Sequence, residues 1–273
     1  MKIIDCFMYF DEDLMLDIRL NTLFDHVDKF VICEATLDHA GNSKKLNFDI
    51  KKFSKFKDKI NYIVVDDLPK IVDSFKKNWH TAHYRDQYQR NALSRGIENY
   101  EDDDLIMISD LDEIPNPSKF IEFNKSSKYV CFVQKNFSLK LNLLNETEPN
   151  WFGTRMCKKK DLKSPQWLRD IKGRKRPFYK FFKPKFDQFI YDGGWHFSSV
   201  KSAEDIFKKL NSYAEQQWNN QKFKNMDIIK RKIENKEDLF DRKHKFKVLN
   251  IDLSFPDYIY KNREIFKNFI YLN

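Results

Sequence analysis

Glycine and proline are scarce in this chain of 273 residues, with only 6 and 8 occurrences. Their scarcity excludes a collagen-like or low-complexity protein. Apolar residues make up 41% of the sequence, which is enough for a sizeable core and argues against wholesale disorder. The length is above the usual single-domain size but still within reach of one large α/β domain.

Cysteine is also sparse, and none of the 4 cysteines belongs to a C-x-x-C pair. Cys6, Cys33 and Cys131 lie inside apolar runs, which is typical of buried, reduced thiols in strands. No cysteine has a second potential ligand close by in the sequence. A zinc site is therefore not expected.

Long apolar runs are missing as well. No apolar stretch reaches the roughly 18 residues that a membrane-spanning helix needs. The apolar run at the start of the chain is too short for a signal peptide and meets acidic residues at once. These features predict a soluble, cytoplasmic protein.

The net charge of +9 is distributed unevenly. Residues 1–120 carry 17 basic and 23 acidic side chains, whereas residues 121–273 carry 33 and 18. Such asymmetry is typical of a protein whose basic half binds an anionic partner, such as nucleic acid, membrane headgroups or a phosphorylated ligand. The alternative is a lysine-rich surface that keeps the protein soluble.

Strands and helices alternate in the first half of the chain. Apolar patterns predict strands over 2–10, 29–35, 59–69 and 103–110, and helices over 12–27 and 80–98. After Pro117 the strands become longer and partly alternating, as in an antiparallel edge or hairpin, and helices follow near 202–217 and 226–234. The order predicts one α/β domain with a mostly parallel central sheet flanked by helices.

The stretch "LIMISDLDEIPNP", residues 105–117, ends a buried strand in three carboxylates. Residues i and i+2 of an extended segment project to the same side, so Asp110 and Asp112 would repel each other without a cation between them. Mg²⁺ or Mn²⁺ is the natural occupant, because it takes a few carboxylates together with phosphate oxygens and water. The alternative is a turn in which Asp110 caps the next helix and Asp112 faces solvent.

An ordered set of motifs resembles glycosyltransferase family 17, the family of the beta-1,4-mannosyl-glycoprotein 4-beta-N-acetylglucosaminyltransferases. The motifs run from residues 2–35 through "VVDDLP", "QRNAL", "ISDLDEIPNP", "SPQWLR" and "GGWHFS" to "DLFDR" near residue 242. The resemblance implies a GT-A fold over 1–245, with a nucleotide-sugar and metal half (1–117) and an acceptor half (118–245). A C-terminal helical extension, 246–273, would follow.

The same resemblance implies a UDP-sugar donor, typically UDP-N-acetylglucosamine, a divalent metal and inversion at the anomeric carbon. Animal members carry a membrane anchor that this sequence does not show, which favours a cytoplasmic enzyme of the bacterial or viral type acting on a glycan acceptor. On this interpretation Asp110 and Asp112 would hold the metal. Arg90, Asn91 and Glu34 would contact the donor, with a surface arginine and a surface acid as the alternatives for Arg90 and Glu34.

The segment "DGGWHFSSV", residues 192–200, is the second candidate constellation. Gly193 and Gly194 would let the backbone approach a ligand, and Trp195 would stack on a sugar. His196 would complete the metal shell as a neutral imidazole. The alternative is a strand with a packed tryptophan and a hydrogen-bonded histidine.

The catalytic base has to be a carboxylate or a histidine near the acceptor. Asp192 is the first choice, with Asp187, Asp170 and Glu204 as rivals, and Glu113 and Asp112 complete the predicted catalytic set. Arg174 and Arg176, in a basic loop over 164–177, would close over the diphosphate. A solvated loop is the alternative.

Two other classes of protein compete with this interpretation. The pI near 9 and the many lysines and aromatics suit a nucleic-acid-binding protein, but the aromatics fall in core-like strands and no nucleic-acid motif appears. A metal-dependent phosphohydrolase also places D-x-D after a strand, although that strand normally opens the fold. The sequence does not indicate the acceptor, the linkage or the oligomeric state.

Overall fold

The computed structural model describes residues 1–69, 78–173, 184–212 and 225–272. Its first half is a parallel sheet whose strands have the order β3-β2-β1-β4. The strands are β1 (Ile3–Met8), β2 (Lys29–Ala35), β3 (Ile60–Val65) and β4 (Leu105–Ser109). Helices α1 (Asp13–Leu23) and α2 (Asn78–Ala92) connect them. The central strands are mostly apolar because both faces of the sheet are covered, with buried Asp5 in β1 and Glu34 in β2 as exceptions.

The second half is mainly antiparallel and continues the same sheet. Its strands are β5 (Glu113–Pro115), β6 (Tyr129–Ser138), β7 (Leu143–Asn145), β8 (Asn150–Lys158), β9 (Gln188–Ile190), β10 (Gly194–Ser198) and β11 (Phe246–Val248). Strand β8 lies antiparallel between β4 and β6. The sheet is therefore mixed, and the prediction of a mostly parallel sheet with an antiparallel edge holds only for its first half.

Four shorter helices complete the described chain: α3 (Pro165–Asp170), α4 (Ala203–Ser212), α5 (Met226–Glu234) and α6 (Asp257–Lys261). None of the helices in the described ranges is long and apolar enough to cross a bilayer. Two large apolar clusters pack on opposite faces of the sheet, and a small third one contains residues of α4, α5 and the β6–β7 region.

The C-terminal segment is not a helical appendage. Strand β11 pairs with β7, and Ile259 and Phe266 are buried in the same cluster as Phe7 of β1. The hydroxyl of Tyr258 also donates to Asp17 of α1 at 2.8 Å. The predicted extension after residue 245 does contain a helix, α6, but it also contributes a strand to the sheet and residues to the core.

Candidate active site

The acidic stretch after β4 forms a tight turn. The amide of Glu113 donates to the carbonyl of Asp110 at 3.1 Å, so residues 110–113 are not extended as the sequence predicted. Arg19 of α1 stabilises the turn through three hydrogen bonds. Its Nη1 donates to the carbonyls of Asp110 (3.1 Å), Leu111 (3.1 Å) and Glu113 (2.9 Å). One guanidinium thus fixes the backbone of the whole turn.

Arg19 is itself fixed by a buried ion pair. Its Nε and Nη2 donate to the two carboxylate oxygens of Asp5 at 2.8 and 2.6 Å, and both side chains have no solvent exposure. The same Nη2 also donates to Ser109 Oγ at 2.5 Å. Sequence reasoning missed this pair, although a charged residue inside the apolar runs "IIDCFM" and "LDIRLNTL" was the available signal.

Asp110 is neutralised by two arginines. Its carboxylate accepts from Arg169 Nη2 at 2.5 Å and from Arg90 Nη2 at 3.3 Å. Desolvation alone would raise the pKa of Asp110, but the two guanidinium groups hold it well below its ordinary value. The sequence predicted that Asp110 and Asp112 could lie together only with a metal ion between them. For Asp110 this expectation is corrected, because two arginines of the protein balance its charge.

Arg90 and Asn91 have different roles. Arg90 is buried, bonds Asp86 at 2.9 Å and Gln166 at 2.5 Å, and lines a cavity next to Asp110. Asn91 Oδ1 accepts from the amide of Gln166 at 3.0 Å and so ties α3 to α2. In this structure Asn91 positions the helix that carries Arg169.

Glu113 is fully buried, and four N–H donors hold its carboxylate, one of which is the backbone amide of Asp110 at 3.1 Å. Arg169 donates to it through Nη1 at 2.7 Å and Nη2 at 2.5 Å, and Trp151 Nε1 donates at 2.6 Å. These bonds orient Arg169 and Trp151 towards the turn. Glu113 was predicted to be catalytic, and the structure gives it a positioning role instead.

Asp112 and His196 form one corner of the site, in which Asp112 is partly exposed and His196 is buried. The carboxylate of Asp112 is 28% exposed, and its Oδ2 lies 3.8 Å from His196 Nε2. His196 Nδ1 lies 3.0 Å from Asn136 Oδ1, and the imidazole stacks on Trp151 with ring centroids 4.3 Å apart. Asp112 and His196 are thus brought together as predicted, whereas Trp151 and Asn136 were missed.

Two cavities meet at the turn, since Asp110 and Asp112 line both. The first, called lobe 1, has about 230 Å³ and is lined by α2 and by residues following β1, β2 and β10, including Phe10, Glu12, His39, Asp86, Arg90 and Lys201. The second, called lobe 2, has about 350 Å³ and includes Asn136, Glu148, Trp151, His196, Asp238 and Arg242. Ligands of α/β sheets bind at such carboxyl ends of strands.

Glu34 does not reach either lobe. It is fully buried and accepts from the amides of Asn47 (2.7 Å) and Phe48 (3.0 Å), from the hydroxyl of Tyr62 (2.8 Å) and from Lys44 Nζ. All of these partners belong to the protein. The prediction that Glu34 receives a ribose hydroxyl or a base is therefore corrected: it anchors the loop after β2.

Asp192, Gly194 and Trp195 line a separate cavity that contains neither Asp110 nor Asp112. Successive side chains of a strand point to opposite faces, so Trp195 of β10 faces away from His196. Trp195 is buried in the main apolar cluster and donates to the carbonyl of Ser254 at 2.9 Å. Its predicted stacking on the sugar beside the D-x-D turn is therefore not compatible with this fold.

The predicted base is also too far from the turn. Strand β10 begins at Gly194, two residues after Asp192, and only near its far end does Phe197 bond the carbonyl of Asp112, at 2.9 Å. An extended chain rises about 3.3 Å per residue, so Asp192 lies roughly 10 Å or more from that contact. The prediction that Asp192 is the catalytic base is therefore corrected for a reaction at Asp112.

The three rival carboxylates are engaged elsewhere. Asp187 accepts from two backbone amides, at Lys128 and Tyr129, and Asp170 accepts from Gln166. Glu204 lies at the exposed start of α4, where the backbone and Lys230 lower its pKa. None of the three lines lobe 1 or lobe 2.

Gly193 and Gly194 are required by the protein's own backbone. Gly194 has φ +138°, and a Cβ there would lie 2.1 Å from the carbonyl oxygen of Ile114. A Cβ at Gly193 would lie 2.6 Å from the carbonyl oxygen of Ile190. Close approach of a ligand, the predicted reason for both glycines, is thus replaced by close strand packing. Arg174 and Arg176 lie outside the described residues.

The donor set fits a hard divalent ion only in part. Within the described ranges no group of three or more histidine, cysteine or acidic side chains is placed to hold a metal. Asp112 and His196 offer one oxygen and one nitrogen. That set suits an ion such as Mn²⁺ or Mg²⁺ that completes its shell with substrate phosphates and water, and it does not suit a closed structural site.

Comparison with known proteins adds a family and three relatives. Residues 1–145 match the model of Glycosyltransferase family 17. The Homo sapiens protein named beta-1,4-mannosyl-glycoprotein 4-beta-N-acetylglucosaminyltransferase is 31% identical over 106 residues, which is 37% of this chain and 19% of that protein. The Rattus norvegicus and Mus musculus proteins of that name are 31% and 30% identical over the same length. The match thus spans about a fifth of these relatives, and the family model covers Arg19 and the 110–113 turn but not Trp151 or His196.

Proposed function

Since the chain belongs to glycosyltransferase family 17, we propose that it transfers N-acetylglucosamine from UDP-N-acetylglucosamine to a hydroxyl of a glycan acceptor. The single observation that carries the proposal is the pair of lobes meeting at Asp112 and Asp110. A group-transfer enzyme needs two substrates whose reacting atoms meet at one point. The choice of N-acetylglucosamine as the transferred sugar rests on the names of the relatives.

Lobe 1, which we assign to the donor and call the donor lobe, has a small excess of negative charge. Four carboxylates line it, namely Glu12, Asp86, Asp110 and Asp112, against Arg90 and Lys201. Arg169 adds a third cation by bonding Asp110 at 2.5 Å. A nucleoside diphosphate would be repelled from such a surface unless a cation entered with it. Asp112 and His196 would hold a divalent ion. When bound, the ion would offset the charge on the leaving diphosphate.

Lys201 and Arg90 delimit the donor lobe. Lys201 lies just after β10 and pairs with Asp11 and with Glu12, the latter at 3.3 Å, which joins the ends of β10 and β1 across the lobe. Arg90 is buried, and its Nε is unbonded in the described part of the chain. A buried guanidinium N–H is a strong donor for phosphate oxygens. We assign Arg90 to the diphosphate.

Lobe 2, which we assign to the acceptor and call the acceptor lobe, offers a sugar-binding surface. Trp151 lies in its wall, stacked on His196, among amide, hydroxyl and carboxylate groups. Two carboxylates lie there besides the D-x-D pair. Arg242 bonds Asp238 and lowers its pKa, which makes it a poor base, whereas Glu148 is exposed. We assign Glu148 as the base that receives the acceptor proton.

The transfer would proceed by a single displacement with inversion. The acceptor oxygen forms its bond to the anomeric carbon on the face opposite the diphosphate, while the bond from that carbon to the phosphate oxygen breaks. The proton of the acceptor hydroxyl passes to Glu148, and the bonding electrons leave with UDP. Positive charge develops on the sugar ring, as it does in glycoside hydrolysis.

Slow hydrolysis of nucleotide sugars tests the donor assignment without knowledge of the acceptor. We expect the purified protein with Mn²⁺ to release nucleoside diphosphate faster from UDP-N-acetylglucosamine than from UDP-galactose, UDP-glucose or GDP-mannose. The released diphosphate is measured by a coupled assay, with EDTA as the control. Release from none of the four donors, or fastest release from GDP-mannose, would contradict the proposal.

A further inference from the structure

The amide of Asn136 has only one orientation that satisfies its neighbours. One end of the amide lies 2.9 Å from the carbonyl oxygen of Glu148, and a carbonyl oxygen can only accept. The NH₂ group must therefore face Glu148. The amide oxygen is left to face His196 Nδ1 at 3.0 Å, and because that oxygen carries no hydrogen, Nδ1 has to be the donor.

We infer that Asn136 is a positioning residue that fixes His196 as the Nδ1–H tautomer, so that the bare Nε2 faces Asp112 and is available to a metal ion. The hydrogen bond made by one imidazole nitrogen decides which nitrogen keeps the proton. Nε2 is the ring nitrogen near the carboxylate, 3.8 Å from Asp112 Oδ2. The metal part of this inference rests on the proposed function.

The ring of His196 is also held in place. Its plane lies within 15° of that of Trp151, and Trp151 is fixed by its bond to buried Glu113 at 2.6 Å. The backbone of β10 is paired on both sides, with His196 opposite Glu113 in β5 and Asn136 in β6. Rotation of the ring to exchange its nitrogens would break the stack or the bond to Asn136.

Asn136 is too deeply buried to be a site of N-glycosylation. It begins an N-F-S sequon but is only 5% exposed, and its backbone amide also donates to the carbonyl of Pro149 at 3.0 Å. Both ends of its side chain are bonded inside the site. The residue thus links the loop that carries Glu148 to the imidazole that faces Asp112.

Long-range ¹H–¹⁵N spectra of the ¹⁵N-histidine-labelled protein test the tautomer directly. Protonated and bare imidazole nitrogens differ widely in ¹⁵N shift, and a pH near 8 lies above the ordinary histidine pKa of about 6.5. The chain has 6 histidines, and the signals lost in His196→Gln identify those of His196. We expect Nδ1 to be protonated and Nε2 bare in the wild type. A protonated Nε2 in the wild type would overturn the inference.

Two substitutions separate positioning from packing. Asn136→Asp loses the bond to the carbonyl of Glu148 but keeps an oxygen acceptor beside Nδ1, so the Nδ1–H tautomer should persist. Asn136→Leu removes the acceptor, so the population should move towards Nε2–H. Retention of the full Nδ1–H signal in Asn136→Leu would overturn the inference. If Asn136→Leu does not fold, the spectra of the wild type and of Asn136→Asp still test the inference. Loss of the Nδ1–H signal in Asn136→Asp would also overturn it.

Binding of Mn²⁺ alone, followed by the electron paramagnetic resonance signal of the free ion, tests the purpose of the tautomer. We expect Asn136→Leu to weaken Mn²⁺ binding about 10–100-fold, as is usual when the partner of a ligating histidine is lost, and Asn136→Asp to restore most of it. A changed tautomer with unchanged Mn²⁺ affinity would overturn the link to the metal. Absence of UDP release from wild-type protein whose tautomer is as expected would instead count against the proposed transfer.

Discussion

Asp112→Asn is expected to lower the rate of UDP release by about 10²–10³-fold, the usual loss when one charge-stabilising group of an active site is removed. Asparagine has nearly the same size as aspartate, so packing of the turn should be kept. Asp112 lines both lobes and is the carboxylate of the turn that faces His196, whereas Asp110 is held by Arg90 and Arg169. The measurement is UDP release at saturating donor and Mn²⁺, with urea unfolding as a check on stability.

Asp192→Asn is the matched control for that variant. It makes the same chemical change in the separate cavity beside Trp195. Its rate should stay within about twofold of the wild type, a difference of roughly 0.4 kcal/mol in the barrier. Equal losses in both variants would show that the assignment of the reaction to the 110–113 turn is wrong.

Arg19→Met is expected to destabilise the protein by about 3–5 kcal/mol, because it leaves the buried carboxylate of Asp5 without its partner. Five described acceptor groups lose their donor together: the Asp5 carboxylate, Ser109 Oγ and three carbonyls of the turn. The loss is a large part of the 5–15 kcal/mol by which a domain is usually stable. Urea unfolding followed by circular dichroism measures it.

Lys52→Met is the control for Arg19→Met. Lys52 pairs with Asp13 at 2.6 Å, but both side chains are about half exposed. Exposed pairs contribute only about 0.2–1 kcal/mol. A loss below 1 kcal/mol in Arg19→Met, comparable with that of Lys52→Met, would contradict the structural role given to the buried pair.

The parallel half of the sheet was predictable because its signals are local. The apolar runs that became β1, β2 and β4 and the helical spacing of α1 each lie within about ten residues. The predicted helix over 80–98 appears as α2, followed by a short 3₁₀ turn at Leu93–Gly96. Insertion of β8 beside β4 is a pairing across about fifty residues, and no local pattern indicates it.

Only those site residues that lie in a recognisable strand, or directly after one, could be predicted from the sequence. Asp112 follows the end of a recognisable strand and His196 lies within another, and the structure places their side chains 3.8 Å apart. The partners of Asp110 come from α2 and α3, and Arg169 is 59 residues away along the chain. Charge compensation of that kind depends on tertiary packing, so the sequence favoured a metal ion where the fold supplies arginines.

Trp195 was predicted to lie at the site beside His196, whereas the structure places Trp151 there, and the difference has a simple physical cause. Trp195 was chosen because it adjoins His196, yet neighbours in a strand face opposite sides of the sheet. The period of two along β10 was available in the sequence and would have excluded it. Trp151 stacks on His196 across the sheet, through β8, β6 and β10, and only the strand order reveals that contact.

The central claim is that the corner formed by Asp112 and His196 accepts a divalent ion together with a nucleoside diphosphate. Calorimetric titration of UDP into the wild-type protein, once with Mn²⁺ and once with EDTA, tests it most directly. UDP should bind at least about tenfold more tightly with Mn²⁺, a difference of about 1.4 kcal/mol or more. Equal affinity under the two conditions would contradict the claim.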